Sequence, residues 1–587
     1  MKILLAAVNA KYIHSNLGIY SLKAYAEQVL GPCVELAEYT INHQPDLILQ
    51  DIFRREPDVI AFSCYIWNIE YIRYLIADLG KILPDVPIWL GGPEVSFDAD
   101  KVLRELPEVT GIMKGEGEET FAQLAGYYVD KWCKKGKDRG KGMADVQSGL
   151  KDIPGLSFRL PDGTLADTGI RRVMDMSRIP FPYKHMDIKD LEHRIIYYES
   201  SRGCPFSCSY CLSSIDKSVR FRSLELVLDE LAYFLAAGVP QVKFVDRTFN
   251  CNKKHAMAIW RFIQSRDNGV TNFHFEIAAD LLDQEQMELL GQMRPGLVQL
   301  EIGVQSTNPD TLKAIRRKTD IDEIRRITGI INKGHNVHQH LDLIAGLPNE
   351  NLECFRRSFN QVYSMEPEQL QLGFLKVLKG SYMEEMASSY GLCYSSRPPY
   401  EVLSTRWLSY RDILELKGVE DMVEVYYNSR QFVHTLSELA AGYGTPYEMF
   451  LDMAAFYREN HLTGISHSRI ARYEILYSII DRHGAAKGDA SVMERFRDLL
   501  MYDLYLRENV KSRPSFARDQ SPYKQAVRQF FQREEESPLY LADYEGYDSR
   551  QMSKMAHIEV MGDGTLVLFD YRHRDPLTYN ARAVRIG

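Results

Sequence analysis

The run Ser201-Arg202-Gly203-Cys204-Pro205-Phe206-Ser207-Cys208-Ser209-Tyr210-Cys211 (SRGCPFSCSYC) places three of the nine cysteines of this 587-residue chain within eight positions, spaced C-x3-C-x2-C. It follows IIYYES (Ile195–Ser200), a β-branched and aromatic run that predicts a strand, so the cysteines fall on a loop leaving a strand end. Three thiolates on one loop can wrap a corner of a metal cluster, each binding one iron. A closed structural zinc site needs a fourth ligand, and no Cys or His follows closely. Three ligands on a four-iron cluster leave one iron open to a small molecule. The other six cysteines, Cys33, Cys64, Cys133, Cys251, Cys354 and Cys393, are scattered singly and read as small buried hydrophobes. An odd total is not a disulfide framework.

Beyond this loop, strand-like and helix-like patterns alternate. Gln241–Val245, Asn272–Ala278, Val298–Val304, His338–Ile344 and Leu370–Val377 read as strands, with helical patterns at Leu224–Ala237, Gln284–Met293, Pro309–Arg316 and Ile321–Lys333. Together with Ile195–Ser200 they predict six βα units, an open partial (β/α)6 barrel over residues 191–395, with cofactor and substrate at the carboxyl ends of its strands.

The three-cysteine loop, with the aromatic Tyr210 just before its third cysteine, resembles that of the radical S-adenosylmethionine (SAM) enzymes. The segments FVDRTFN (Phe244–Asn250), EIGVQS (Glu301–Ser306) and LDLIAGLPNE (Leu341–Glu350) look like those of the branch that includes the oxygen-independent coproporphyrinogen oxidases and the methylthiotransferases. The resemblance implies a 4Fe–4S cluster on Cys204, Cys208 and Cys211 whose open iron chelates SAM, which reduction cleaves to a 5′-deoxyadenosyl radical. It also implies that Glu276, Gln305 and Asp342 contact the SAM ribose or nearby polar atoms, that Arg317 binds the SAM carboxylate, and that the Gly346 region lines the adenine. Such roles suit the chemistry: ribose hydroxyls want carboxylate and amide acceptors, and a carboxylate wants a guanidinium.

Ahead of the barrel, residues 1–130 alternate strands (Ile3–Val8, Cys33–Glu38, Asp58–Cys64, Pro87–Gly91, Gly111–Lys114) with helices (Asn16–Leu30, Ile69–Leu83, Glu118–Tyr128), the pattern of a doubly wound, Rossmann-like α/β domain. Ligands of such sheets sit beyond the strands' carboxyl ends, here Asn9–Asn16, Ser63–Trp67, Gly91-Gly92-Pro93-Glu94 and Gly115-Glu116-Gly117-Glu118. The first of these, NAKYIHSNLG, is no G-x-G-x-x-G fingerprint, which disfavours NAD and FAD. The GGPE and GEGEET segments, placed directly before such a barrel, resemble the first domain of the cobalamin-binding radical SAM subfamily. This likeness covers about residues 1–380 and implies cobalamin at His14, Ser63, Gly91, Gly92, Gly115 and Gly117. The D-x-H-x-x-G motif that supplies an axial histidine in many cobalamin proteins is absent: His14 and Gly18 are in place, but Tyr12 stands where the Asp would. Cobalt is therefore expected without a protein ligand.

Residues 131–190 read as a linker, with the charged, glycine-rich KKGKDRGKG (Lys134–Gly142) an exposed loop. Residues 396–587 read as a mainly helical domain of unknown role ending in a hairpin at His557–Tyr571, where Gly562-Asp563-Gly564-Thr565 makes the turn. Its aromatics, including Trp407, Tyr426 and Tyr427, read as core. His335, His338 and His340 cluster at the start of the fifth barrel strand, but with no carboxylate at ligand spacing a second metal is not expected.

Composition bounds the rest. A hydrophobic fraction of 45% and a charged fraction of 26% are those of a globular protein, and a net charge of −9 argues against a nucleic-acid binder. No apolar run approaches the roughly 20 residues of a membrane span, and MKILLAAVNAKYIHSN reads as a first strand rather than a secretory signal. A cytoplasmic enzyme is expected, using a 4Fe–4S cluster, SAM and cobalamin, fed electrons by a reductant such as flavodoxin or ferredoxin. Its expected reaction is methyl transfer to an unactivated carbon of a small-molecule or natural-product substrate. The alternatives are rearrangement or cyclisation without methylation, an iron–sulfur or cobalamin sensor, and a tRNA methylthiotransferase. The last is weakened by the wide spacing of Cys33, Cys64 and Cys133.

Overall fold

Strand β1 (Ile3–Asn9) is buried along its whole length, and its period of two puts Ile3, Leu5 and Ala7 in one apolar layer and Leu4, Ala6 and Val8 in the other. A strand apolar on both faces needs helices on both. The computed structural model, which describes residues 1–135, 148–184, 186, 194–485 and 490–586, supplies them. Helices Leu17–Leu30 and Glu118–Lys135 cover one face; Pro45–Arg55, Ile69–Ile82 and Ala99–Glu105 cover the other. Strands β1, β2 (Val34–Thr40), β3 (Val59–Ser63), β4 (Ile88–Gly91) and β5 (Gly111–Met113) pair in parallel in the order 2-1-3-4-5. In that order the crevice where the winding reverses opens beyond β1 and β3. Helices Pro45–Arg55 and Ala99–Glu105 go beyond the sequence expectation.

The stretch expected as a linker is part of this sheet. Strands β6 (Leu156–Arg159) and β7 (Leu165–Asp167) form an antiparallel hairpin that extends it to seven strands. Runs of four and three residues are too short to show a period; they become strands by pairing with the edge of β5. The glycine-rich run lies outside the described residues from Gly136 onward.

The second sheet is the open barrel: β8 (Ile195–Tyr198), β11 (Gln241–Phe244), β12 (Asn272–Ile277), β13 (Val298–Gln305), β14 (His338–Ala345) and β15 (Gln369–Phe374), parallel throughout. Between its first two strands lies a two-stranded ribbon, β9 (Ser201–Arg202) against β10 (Arg220–Phe221), with the three cysteines in its loop. One face of the barrel strands is apolar (Val242, Phe275, Leu300, Ile302, Leu341) and packs on the outer helices. The other face, carrying Lys243, His274, Glu276, Glu301, His340 and Asp342, lines the lumen.

The C-terminal helices cover the barrel's open side. β15 is an edge strand, and Asn428, at the end of a π-helical turn (Val423–Asn428), accepts from the Leu370 N–H and donates to the Leu370 C=O, both at 2.9 Å. This satisfies backbone groups that an open edge would leave free. Tyr426 is core, whereas Trp407 and Tyr427 are only partly buried. The hairpin expected near the end is present as the strands Ala556–Val560 and Leu566–Arg574, with Ala581–Ile586 as a third strand.

Candidate functional site

The cysteine loop is pinned from several sides. Gly203 adopts φ +94°, where a Cβ would stand 2.7 Å from the Ser218 carbonyl oxygen. The Ser209 N–H donates to the Ile315 carbonyl at 2.9 Å, the Ser209 carbonyl accepts from Met383 N–H at 2.8 Å, and Ser214 Oγ donates to the carbonyls of Cys208 and Cys211. Cys204 and Cys208 are buried, Cys211 half-buried, and none is in a disulfide. Thr248 Oγ1 and Arg317 Nη1 each lie 3.7 Å from a sulfur, those of Cys204 and Cys208. Burial pushes the Cys204 thiol up, and the nearby Cys211 and Cys208 push the same way. Crowded thiolates of this kind call for a multiply charged metal corner, so the donor set fits an iron–sulfur cluster.

Around this loop lies a cavity of about 190 Å³ whose lining includes Cys204, Cys208, Tyr210, Cys211, Glu276, Gln305, Arg317 and Asp342. Three of the polar groups expected to hold SAM keep polar capacity that the described residues do not use. Among the described residues Gln305, at φ +71°, has its buried Oε1 without a partner, and so has Arg317 its Nε. Glu276 is pushed up to about 7 by burial, its nearest cation, Arg247 Nη1, being 3.9 Å away. Gly346 is not in this lining; its φ is +89°, and a Cβ there would meet Val402 Cγ1 at 2.6 Å.

The other positions singled out lie at the mouth of the first domain. The loop after β1 is laced to the first barrel strand: Ile195 N–H donates to the Ile13 carbonyl at 2.7 Å and Ser15 N–H to the Ile195 carbonyl at 3.2 Å. His14 Nδ1 lies 2.9 Å from the Tyr197 hydroxyl, and burial, with Lys11 and Lys243 nearby, pushes its imidazole pKa below the usual histidine value. Ser63 Oγ is buried at the end of β3 without a partner among the described residues, an atom that a polar edge of a bound corrinoid would satisfy. Gly92 has a reason inside the protein: at φ +115° its Cβ would stand 2.4 Å from the Cys64 carbonyl oxygen. Gly117 is crowded by Leu22 at 2.8 Å, while Gly91 and Gly115 have ordinary or open surroundings.

Sequence reading missed what the carboxylates of these glycine motifs do. Glu118 receives Arg202 Nη2 at 2.7 Å, Glu116 receives Arg220 Nη1 at 3.1 Å, and Arg202 also binds Glu199 at 2.8 Å. Glu94 of GGPE receives Lys379 Nζ at 2.9 Å and the Tyr400 hydroxyl. The motifs thus dock the first domain onto the cysteine loop and the barrel's far rim. The signal was present in the acids alternating in GEGEE and in the Arg just before Gly203-Cys204. The bonding role of DRTFN was also missed: Asp246, buried and pushed up to about 6, accepts from Ser200 and Ser201, and Asn250 bonds both backbone groups of Ala278.

Comparison with known proteins gives three family matches in series: the B12 binding domain over residues 3–125, the radical SAM superfamily over 198–362, and a protein family of unknown function, DUF4080, over 388–567. The chain is 26% identical over 508 residues to the cobalamin-dependent radical SAM methyltransferase TokK of Streptomyces tokunonensis, covering 80% of this chain and 68% of that protein. It is 22% identical over 331 residues to the anaerobic magnesium-protoporphyrin IX monomethyl ester cyclase of Rubrivivax gelatinosus, 55% of this chain and 57% of that one. The solved structure of the cobalamin-dependent SAM radical enzyme OxsB with aqua-cobalamin bound superposes with a TM-score of 0.59 over 86% of this chain and 80% of the other, at 15% identity. Among the described residues no helix is long and apolar enough to cross a membrane.

Proposed function

We propose that this chain, which belongs to the radical SAM enzymes that carry a cobalamin-binding domain, transfers a methyl group to an unactivated carbon of a small molecule. One observation carries the reading: the cysteine loop and the polar groups suited to SAM face one cavity, and the B12 binding domain is docked onto that same loop by Arg202 and Arg220. When bound, a 4Fe–4S cluster with SAM supplies a carbon-centred radical and cobalamin supplies a transferable methyl group, chemistry no side chain can perform.

The chain's own residues bind and orient. Cys204, Cys208 and Cys211 would hold three irons. Arg317, within 3.7 Å of Cys208 Sγ, would place a guanidinium between the cluster and the SAM carboxylate. Gln305 and Glu276 would take the ribose hydroxyls, and Tyr210 walls the cluster side of the cavity. The first-domain residues His14, Ser63, Gly91, Gly92, Gly115 and Gly117 would line the cobalamin crevice, His14 being bonded to Tyr197. The C-terminal helices close the open side and keep water out. A small electron-transfer protein is the proposed reductant and the cytoplasm the proposed location.

The cyclase among the relatives supports a second reading, ring closure without methylation. The two part experimentally. With reductant, a candidate substrate and SAM bearing a deuterated methyl group, methyl transfer yields both 5′-deoxyadenosine and S-adenosylhomocysteine, with the label on a product carbon. Turnover that yields deoxyadenosine but neither labelled product nor S-adenosylhomocysteine rejects methyl transfer in favour of cyclisation or rearrangement.

A further inference from the structure

The barrel lumen contains a buried donor cluster with no part in holding the iron–sulfur cluster. The β13–β14 register sets Glu301 opposite His340, and Asp342 follows two residues on, on the same face of β14. One donor atom from each of Glu301, His340 and Asp342 falls within 4.8 Å of the others. His340 Nε2 stands 3.0 Å from Asp342 Oδ1, and His274 Nε2, one strand away, 2.9 Å from Glu301 Oε2. Both histidine side chains are only 8% exposed. Each contact is an ion-pair distance, yet among the described residues neither Nε2 nor Asp342 Oδ1 has a hydrogen bond of good geometry.

A ring nitrogen and carboxylate oxygens about this far apart also have the spacing of neighbouring ligands around one metal ion. Ligand bonds of about 2.0–2.2 Å produce such spacings. Charge points the same way. Lys243 Nζ, 3.0 Å from Glu301 Oε2, neutralises one carboxylate through one of its oxygens. Asp342 has no ion-pair partner among the described residues except the imidazole of His340.

We propose that Glu301, His340 and Asp342, with His274 steadying Glu301 from the neighbouring strand, bind one divalent transition-metal ion in the barrel lumen. The mixed imidazole and carboxylate set suits zinc, iron or manganese better than magnesium or calcium. Because Glu301 and Asp342 also line the SAM cavity, the ion's open position faces it and holds an oxygen or nitrogen of the substrate. Asp342 then serves this ion rather than SAM.

Zinc retention tests this independently of any methyl transfer. Full-length protein with its 4Fe–4S cluster reconstituted, so that the loop thiols are occupied, is equilibrated with zinc sulfate and passed over a chelating resin. About one zinc per chain should remain by elemental analysis, and His340→Ala and Glu301→Gln should each lower it at least tenfold while the iron content stays unchanged. Wild-type protein that retains no zinc overturns the proposal whatever the variants do. Should those two variants lose their cluster, the shape-preserving Asp342→Asn decides: retention equal to wild type overturns the site, and a tenfold loss supports it.

Discussion

Cys204, Cys208 and Cys211 were legible because spacing alone expresses their chemistry; their neighbours were not. Thr248 and Arg317 reach the sulfurs from other loops, 44 and 109 positions away. Anaerobic reconstitution should give about four iron and four sulfide per chain, and replacing all three cysteines by Ala should abolish both; a triple variant that keeps the cluster rejects the assignment. A second prediction concerns Glu350, fully buried and pushed up to about 7 by that burial, with Ser306 Oγ donating to it and Ser358 beside it. A carboxyl whose pKa is higher folded than unfolded binds more protons in the native state, so stability falls as pH rises from about 4.5 to about 7. The shift corresponds to a penalty of at most about 3 kcal/mol above pH 7. Glu350→Gln keeps the acceptor and removes the charge. It should raise the Tm by a few degrees at pH 8 and leave it unchanged at pH 4; an equal gain at both pH values would contradict the burial argument.

At the scale of elements, strand and helix patterning in the two sheets was readable wherever a run was long enough to show its period. The hairpin of β6 and β7 was not, since its strands exist only through their pairing with β5. Strand-end glycines show the same division. From sequence all four first-domain glycines looked alike, as room for a flat ligand, whereas the backbone separates them. Gly92→Ala forces a Cβ to within 2.4 Å of the Cys64 carbonyl at φ +115°, while Gly115→Ala, at φ +72°, meets nothing nearer than Ile170 Cγ2 at 3.5 Å. The second substitution should cost about 1 kcal/mol, the first about 3 kcal/mol or more through added overlap. Thermal melts of the two apo variants check the order, and a Gly92→Ala protein as stable as Gly115→Ala would show that the β3–β4 approach is looser than described.

At the scale of the molecule, function depends on holding the cobalamin-type domain over the barrel mouth. Arg202 stands between Glu118, Glu199 and Glu116, with side-chain exposures of 6% to 22% across the group. Removing one partner of so buried a network leaves charge uncompensated, which costs roughly 3–5 kcal/mol. Glu118→Ala should therefore loosen docking without touching the cluster. Iron content and deoxyadenosine formation persist, while the methylated product falls at least tenfold relative to deoxyadenosine. If product and deoxyadenosine decline together, the salt-bridge network is not what couples the two domains.

The sequence by itself determined the order and class of its domains, because a three-cysteine loop and six βα units after a doubly wound domain write their patterns locally, and those motifs carried the resemblance that implied the cofactor set. What only the tertiary structure decided is what those parts do to one another. His14 meets Tyr197 across 183 positions and Glu118 meets Arg202 across 84, and no local pattern records such a pairing. The lumen cluster shows this most directly: His340 was visible in the chain without a carboxylate assigned to it, and parallel register alone brings Glu301 opposite it. Side chains of one strand share a face by periodicity, but which residue of the next strand stands beside them is set by how the helices between them pack.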